Sequence, residues 1–235
     1  KHKDYKVTNL DKLTYAGNRT TMRDFNERSN YSFLEADICD GKTIIKNIPE
    51  NPIIINFAAE SHVDRSLSNG ADFVRTNVEG TTVLLGIAKV KKAEVFFQIS
   101  TDEVYGSLLH NQSASKETDS TEHPSSPYSA SKASAERMCY SYAHSFGVPV
   151  IISRSSNNFG PYQYPEKLIP VATTNLFAGK KVPVYGKGDN VRDWIYVDDN
   201  CEALDFLMHN GKIGETYNIG GGNELTNFDL TNRIL

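Results

Sequence analysis

Residues 94–106 read Glu94-Val95-Phe96-Phe97-Gln98-Ile99-Ser100-Thr101-Asp102-Glu103-Val104-Tyr105-Gly106. A short apolar run gives way to small and charged residues and then to a glycine. A run of this length, closed by turn residues, predicts a strand buried on both faces. Similar runs recur at Tyr5–Leu10, Tyr31–Glu35, Pro52–Phe57 and Val148–Ser153. The stretches between them have helical character. Asp72–Val90 places Phe73, Val74, Val78, Leu84, Leu85 and Ile87 near helical spacing. Ser129–Phe146 follows Pro127 and repeats Ala133, Arg137 and Tyr140 at helical intervals. Strands alternating with helices predict βαβ units, hence an α/β chain built on a Rossmann-like parallel sheet.

Beyond Gly160 the pattern is less regular. Lys167–Phe177 and Tyr196–His209 read as helices, Val182–Tyr185 as a short strand, and Gly220-Gly221-Gly222 as a turn that lacks the Gly-Lys-Ser/Thr of a Walker loop. The expected division is a Rossmann-like domain over residues 1–156 and a smaller carboxyl-terminal substrate region over 157–235, with some segments of the latter returning to the sheet. Ser107–Pro127 is polar, rich in Ser and Thr, and reads either as a loop reaching an active-site approach or as a solvated insertion.

Composition narrows the function classes. With 39% apolar and 23% charged residues the chain is ordinary for a globular protein. A net charge of -4 argues against a duplex nucleic acid partner, but a local Arg or Lys still suits a small anion. The three cysteines, Cys39, Cys139 and Cys201, are too sparse for a disulfide scaffold or structural zinc site, which fits a cytoplasmic setting. No apolar run approaches the roughly 20 residues of a membrane span, and Lys1-His2-Lys3 is not followed by the apolar stretch of a signal peptide.

Several groups point to chemistry. Tyr128 and Lys132 stand four apart on a predicted helix and share a face, where an ammonium favours a phenolate able to accept a hydroxyl proton. Asp102 and Glu103 follow a strand, where open α/β sheets bind ligands. A turn there aims both carboxyls at one substrate, and one protonated and one ionised group make an acid/base pair. The plainer alternative is a polar strand end that caps the next helix. Asp11, at the end of a strand, suits the ribose hydroxyls of a dinucleotide or a simple turn, and Asp37-Ile38 could border its adenine. Ala58-Ala59 permits close backbone approach to a cofactor or tight helix–sheet packing. His62 has no second ligand at metal-binding spacing, so no metal is expected.

The segments LDKLTYAGN, NFAAESHVDRS, STDEVYG, YSASK, SNNFGPYQYPEKLIP, VYGKGDNVRDWIYVDD and ETYNIGGGNE resemble, in order, those of the dTDP-glucose 4,6-dehydratases, within the extended short-chain dehydrogenase/reductase superfamily. The Thr101-Asp102-Glu103 triplet is the most discriminating part. The resemblance implies a lyase of deoxysugar biosynthesis that uses NAD and acts on a sugar nucleotide. Its catalytic residues would be Thr101, Asp102, Glu103, Tyr128 and Lys132. Tyr128, assisted by Lys132 and Thr101, would be the base for C4 oxidation, Glu103 would take the C5 proton, and Asp102 would protonate the departing C6 hydroxyl. For NAD the resemblance points to Asp11, Lys12, Leu13, Thr14, Asp37 and Ile38, then to Ala58, Ala59, Ser61, Thr76, Tyr128, Lys132 and Asn158. For the sugar nucleotide it points to Ser61, Thr101, Asn157, Lys167, Leu168, Pro183, Tyr185, Arg192 and Asn227, with Arg192 the diphosphate clamp. A homodimer joined through the helices following Thr76 and Tyr128 is also implied.

Relative to the family the pattern is incomplete at both ends. The family's first strand and GxxGxxG loop would precede Lys1, and more of its substrate region would follow Leu235. A polypeptide beginning at Lys1 is therefore expected to bind NAD poorly. The alternatives to be separated are a UDP-glucose 4,6-dehydratase, a related sugar-nucleotide epimerase or decarboxylase, and a non-catalytic NAD-binding protein.

Overall fold

The computed structural model describes residues 2–108, 112–184 and 186–235. The chain begins with β1 (Val7–Asp11), a 3-10 helix over Arg19–Phe25, β2 (Tyr31–Glu35), α1 (Gly41–Asn47) and β3 (Ile53–Asn56). Next come α2 (Val63–Ser68), α3 (Gly70–Phe73), a π-helical stretch over Val74–Gly80, α4 (Thr81–Val90), β4 (Val95–Thr101) and a 3-10 turn over Asp102–Tyr105. The remainder is α5 (Pro127–Phe146), β5 (Val150–Ser155), β6 (Asn157–Phe159), α6 (Leu168–Phe177), β7 (Val191–Tyr196), α7 (Val197–Asn210), β8 (Thr216–Ile219), β9 (Glu224–Thr226) and α8 (Asn227–Ile234).

The central sheet runs β3-β4-β5-β8, and every pair in it is parallel. β1 and β2 form a separate parallel pair, and β6-β7-β9 form a small mixed sheet. The Rossmann-like parallel sheet and the smaller carboxyl-terminal sheet are thus both present. β8 lies late in the chain yet pairs with β5 in the central sheet.

The pleat of β4 and β5 shows why these runs carry apolar residues on both faces. Neighbouring residues point to opposite faces. Phe96 and Ile152 enter a core with Leu84, Leu85, Ile87 and Cys139, which α4 and α5 supply. Phe97 and Ile151 enter a second core with Leu204, which α7 supplies, and Ile195. Phe96 and Phe97 are both fully buried, and each contributes roughly 1.5–3 kcal/mol by leaving water. Register is reinforced inside the sheet, where Asn56 donates to its paired residue Gln98 at 3.0 Å and to Thr81 at 3.1 Å.

The helix expected over Asp72–Val90 is present but not uniform. It runs from α3 to α4 through the wider π turn at Val74–Gly80. Such turns often mark functional places in a helix, and this one contains Thr76 and Asn77. Val182–Val184 form no strand, so the expectation there fails, and Tyr185 lies outside the described residues. Part of the Ser107–Pro127 connection, residues 109–111, also lies outside them.

α5 starts where it does because of its cap. Ser126 accepts from the Ser129 amide at 3.1 Å, Ser129 Oγ accepts from the Ser126 amide at 2.9 Å, and Pro127 occupies the first helical turn. This reciprocal cap sets the entry of the helix two residues before Tyr128. Ser126→Ala is therefore expected to lower stability by about 0.5–2 kcal/mol, read as an earlier midpoint in urea unfolding with an unchanged slope.

Candidate active site

The site lies past the carboxyl ends of β3, β4 and β5. Thr101 is the last residue of β4 and pairs in register with Ser155. Its hydroxyl accepts from the Glu103 amide at 3.2 Å and donates to Asp102 Oδ1 at 3.2 Å, which turns the chain into one turn of 3-10 helix. The turn gathers the two carboxyls that an extended chain would separate. It also realises the cap that the plainer reading proposed, so capping and chemistry share one device. Gly106 ends it at φ +80°, where a side chain would strike the His123 carbonyl.

Burial raises both acids. Asp102 is pushed up to about 6 by desolvation and by the charge of Glu103, against the pull of Thr101 and Arg192. Glu103 is raised by desolvation, with Arg192 and then Lys167 opposing the rise. Two adjacent carboxyls with unequal surroundings are suited to hold a proton on one and a charge on the other.

Tyr128 and Lys132 come from the first turns of α5. The Lys132 ammonium is buried and donates to the Ile99 carbonyl at 2.6 Å. Burial lowers it to about 8, and Glu136 works against that fall. Tyr128 is raised well above the usual phenol range, first by burial and then by Glu103, while a hydrogen bond with Thr101 pulls it down. Lys132 is thus engaged by the strand end. The charges acting on the phenol are carboxylates.

On the cofactor side, Asp11 Oδ1 accepts from the Leu13 amide at 2.7 Å, and Leu13 has a φ of +52°. Asp37 follows β2 and meets Lys12 at 2.8 Å and Arg75 at 3.0 Å. Burial alone would raise it, but bonds from Lys12, the Cys39 amide and Arg75 outweigh that and hold the carboxyl well below its usual range. Ile38 is buried and packs where Gly80 leaves room for it. Asn77, in the π turn beside Thr76, accepts from the Glu60 amide at 2.9 Å and donates to the Glu60 carbonyl at 3.0 Å and to Ser131 at 2.8 Å. It ties the segment after β3 to α5.

A cleft of about 210 Å³ is lined by Thr14, Tyr15, Ala59, Ser61, Glu166 and Lys167, which joins residues from both expected groups. Lys167 donates to the Ser61 carbonyl at 2.7 Å. Asn158 Oδ1 is buried without a hydrogen-bond partner, and Asn158 Nδ2 donates to the Ser156 carbonyl at 3.1 Å. An orphaned acceptor, methyl-only side chains at Ala58-Ala59 and carboxylates past β1 and β2 fit a dinucleotide.

The remaining substrate candidates are more dispersed. Asn157 opens β6, Lys167 and Leu168 open α6, and Asn227 opens α8. Pro183 is exposed in the connection between α6 and β7. That connection is brought to α8 by the Phe228 amide donating to the Gly188 carbonyl at 3.1 Å and the Asn227 amide to Asn190 at 3.0 Å. Arg192 is exposed and donates to the Val191 carbonyl at 2.8 Å, while its charge reaches Asp102 and Glu103. The neighbouring Asp193 accepts from the Gly221 amide at 2.7 Å and the Asn223 amide at 2.6 Å. Trp194 is buried in β7.

Other residues around the site had no isolated signal in the sequence. Tyr15 donates to Glu166 at 3.1 Å and carries the Arg65 guanidinium 3.7 Å from its ring centre, so it links the segment after β1 to that before α6. Burial and Glu166 push its phenol up to about 12. His62 caps α2, with its ring accepting from the Arg65 amide at 3.4 Å. Among the described residues, the three groups close enough to share a metal, His2, Asp205 and His209, lie elsewhere, and His2 and Asp205 already bond each other at 2.7 Å.

The geometry has counterparts in known proteins. The profile of the family described as GDP-mannose 4,6 dehydratase matches residues 1–235. A dTDP-glucose 4,6-dehydratase of Streptomyces niveus is 45% identical over 229 residues, covering 97% of this chain and 67% of its own. The low-salt glycan biosynthesis protein Agl12 of Haloferax volcanii is 47% identical, covering 99% of this chain and 74% of its own. Among solved structures, the dTDP-glucose 4,6-dehydratase DesIV of Streptomyces venezuelae, with NAD and TYD bound, superposes with a TM-score of 0.95 at 43% identity over 98% of this chain and 70% of that one. UDP-glucuronic acid 4-epimerase of Bacillus cereus, in complex with UDP-glucuronic acid and NAD, reaches a TM-score of 0.89 at 27% identity over 98% of this chain and 74% of that one. The chain belongs to the family described as GDP-mannose 4,6 dehydratase and, within it, groups with the dTDP-glucose 4,6-dehydratases.

Proposed function

We propose that the protein is an NAD-dependent dTDP-glucose 4,6-dehydratase, which removes water from the sugar nucleotide to give the 4-keto-6-deoxy sugar. The observation that carries this reading is the Asp102-Glu103 turn, set beside Tyr128 and Lys132 on one rim of the sheet. An epimerase needs the tyrosine but has no use for an acid and a base at C5 and C6. The 45–46% identity to named dTDP-glucose 4,6-dehydratases, against 27% to the epimerase, supports the same choice.

In this reading Asp11, Lys12, Leu13, Thr14, Asp37, Ile38 and Thr76 hold the adenosine side of NAD. Ala58, Ala59, Ser61, Lys132 and Asn158 border its other half. When bound, NAD takes the C4 hydride and returns it to C6. The protein moves the protons. Tyr128, as its phenolate, receives the C4 hydroxyl proton, and the hydrogen bond with Thr101 is what favours that phenolate against burial and the neighbouring carboxyls. The C4 ketone acidifies C5, Glu103 removes that proton, and Asp102 gives its own to the leaving C6 hydroxyl. As hydride returns to C6, Glu103 gives a proton, exchanged with solvent, back to C5, and the proton held by Tyr128 is released as Asp102 is reprotonated. The sequence regenerates NAD, so the net change is loss of water. Arg192 and Lys167 suit the diphosphate, and Ser61, Asn157, Leu168, Pro183, Tyr185 and Asn227 complete the sugar-nucleotide side.

The division at residues 156 and 157 follows from the same reading, with β8 as the segment that returns to the first domain. A homodimer through α4 and α5 is proposed with it. Among the described residues no helix is long and apolar enough to cross a membrane.

The activity is tested by mass measurement after incubation with dTDP-glucose and NAD. Loss of one water supports the dehydratase, and unchanged mass with altered stereochemistry supports an epimerase. Glu103→Gln keeps size but not basicity. Its expected phenotype is a rise in reduced-nicotinamide absorbance on rapid mixing with product formation slowed about 100-fold or more. Normal product formation in this variant would remove Glu103 from the base role.

Asp102 yields a pH prediction. Its carboxyl is raised in the folded state to about 6, against about 4 in an unfolded chain. The folded protein binds this proton more tightly, so the stability it contributes is complete below about pH 4 and is lost as pH rises through about 6. Asn loses nothing over that window. The melting temperature of Asp102→Asn relative to the parent should therefore climb between pH 4 and 7. A difference that stays constant across this range would contradict the assignment.

A further inference from the structure

Arg154 is a guanidinium placed inside a strand otherwise made of apolar and small residues. It is 3% exposed, and its partner Glu136 is fully buried. The pair is bidentate, with Nη2 donating to Oε2 at 2.7 Å and Nε to Oε1 at 3.1 Å. The remaining edge of the fork turns away from Glu136. Nη1 donates to the Tyr105 hydroxyl at 2.8 Å and to the Glu117 carbonyl at 3.2 Å. Tyr105 in turn donates to Asn218 Oδ1 at 2.7 Å, and its ring centre lies 4.7 Å from the guanidinium carbon.

Each partner belongs to a different part of the site. Tyr105 ends the 3-10 turn that holds Asp102 and Glu103. Glu136 lies on α5 four residues after Lys132, hence on the same face. Asn218 is in β8, and it draws in the Ser107–Pro127 connection, with its side-chain Nδ2 donating to the Ser115 carbonyl at 3.0 Å and its backbone amide donating to Glu117 Oε1 at 2.9 Å. One planar cation therefore spans the turn, the helix and the connection.

Stability does not account for this arrangement. Desolvating two charges costs as much as their attraction returns, and apolar replacements of such pairs are often neutral or stabilising. What a forked cation supplies is fixed geometry. Thr101 is already held by its register with β5, Lys132 by the Ile99 carbonyl, and Tyr128 by the cap of α5. The Asp102–Tyr105 turn lies beyond the strand; Thr101 caps its start and Val104 is buried within it, while the Tyr105 hydroxyl ties its far end to Arg154.

We infer that Arg154, held by Glu136 and acting through the Tyr105 hydroxyl, is a positioning residue that sets Asp102 and Glu103 against the substrate, so that the elimination step depends on it and the C4 oxidation does not. The inference rests on the dehydratase reading and adds to it a division of labour within the fold. A displacement of about 1 Å at a reacting group can slow a step roughly 100-fold.

Tyr105→Phe tests this with the smallest change, since the ring stays against Arg154 and only the hydroxyl is lost. With the NAD-loaded variant and dTDP-glucose, kcat should fall roughly 10- to 100-fold with KM within about two-fold. On rapid mixing, reduced nicotinamide should form at the parental rate and accumulate, and solvent exchange at C5 should slow. Parental turnover without accumulation overturns the inference. Equal slowing of oxidation and elimination also overturns it, since that is what a merely structural role produces. Should Tyr105→Phe fail to fold, Arg154→Lys takes its place, because it keeps a charge for Glu136 but cannot fork to Tyr105, and the same split between steps is expected. The parent protein run in parallel keeps the two readings apart. If it releases no water the dehydratase reading fails, whereas a working parent with an unaffected variant defeats only the positioning role.

Discussion

The bond from the buried Lys132 ammonium to the Ile99 carbonyl, 2.6 Å long, joins the first turns of α5 to the end of β4. The distance between Tyr128 and the Thr101–Glu103 turn depends on that join. An ammonium in an apolar interior requires a partner, and burial brings it down to about 8 even with Glu136 four residues away. The strand end supplies the partner because Ile99 still lies in the β4–β5 ladder. Helix and strand end are thereby joined by one buried polar contact.

Around that contact the interior is unusually polar. Glu136 and Arg154 are paired, Asn77 is satisfied by Glu60 and Ser131, and Asn56 is bonded to Gln98 and Thr81. These groups do not enlarge the hydrophobic gain. They fix positions at the carboxyl ends of the strands, where a reaction with several proton transfers needs each side chain in one place. The two acids are the part left under electrostatic tension. Burial raises both, and only Arg192 and Lys167 on the substrate side oppose the rise at Glu103.

Much of this arrangement is local and therefore legible in the sequence. β4 is a mostly apolar run, α5 begins with a proline and carries its chemical pair at helical spacing, and the carboxylates stand next to each other in the chain. The parts that escaped are products of distance. Nothing local shows that Arg154 reaches Tyr105, that Tyr15 meets Glu166 across 151 positions, or that β8 is the segment that returns to the sheet, beside β5. The π turn at Val74–Gly80 follows from what Asn77 must reach on the segment after β3, and helical periodicity does not reveal it. The surroundings of Lys132 and Tyr128 are likewise set by distant partners. Spacing places the two residues on one face but cannot tell that the ammonium is taken by a carbonyl while carboxylates surround the phenol.

The central claim is that one pocket holds the hydride taken from C4 until it is returned to C6, while separate side chains handle the protons. dTDP-glucose carrying deuterium at C4 tests this most directly, with the product examined by magnetic resonance after turnover in ordinary water. The account predicts deuterium in the C6 methyl group and a C5 hydrogen drawn from solvent. Deuterium found at C4 of an isomerised sugar, or washed out into the water, would contradict it.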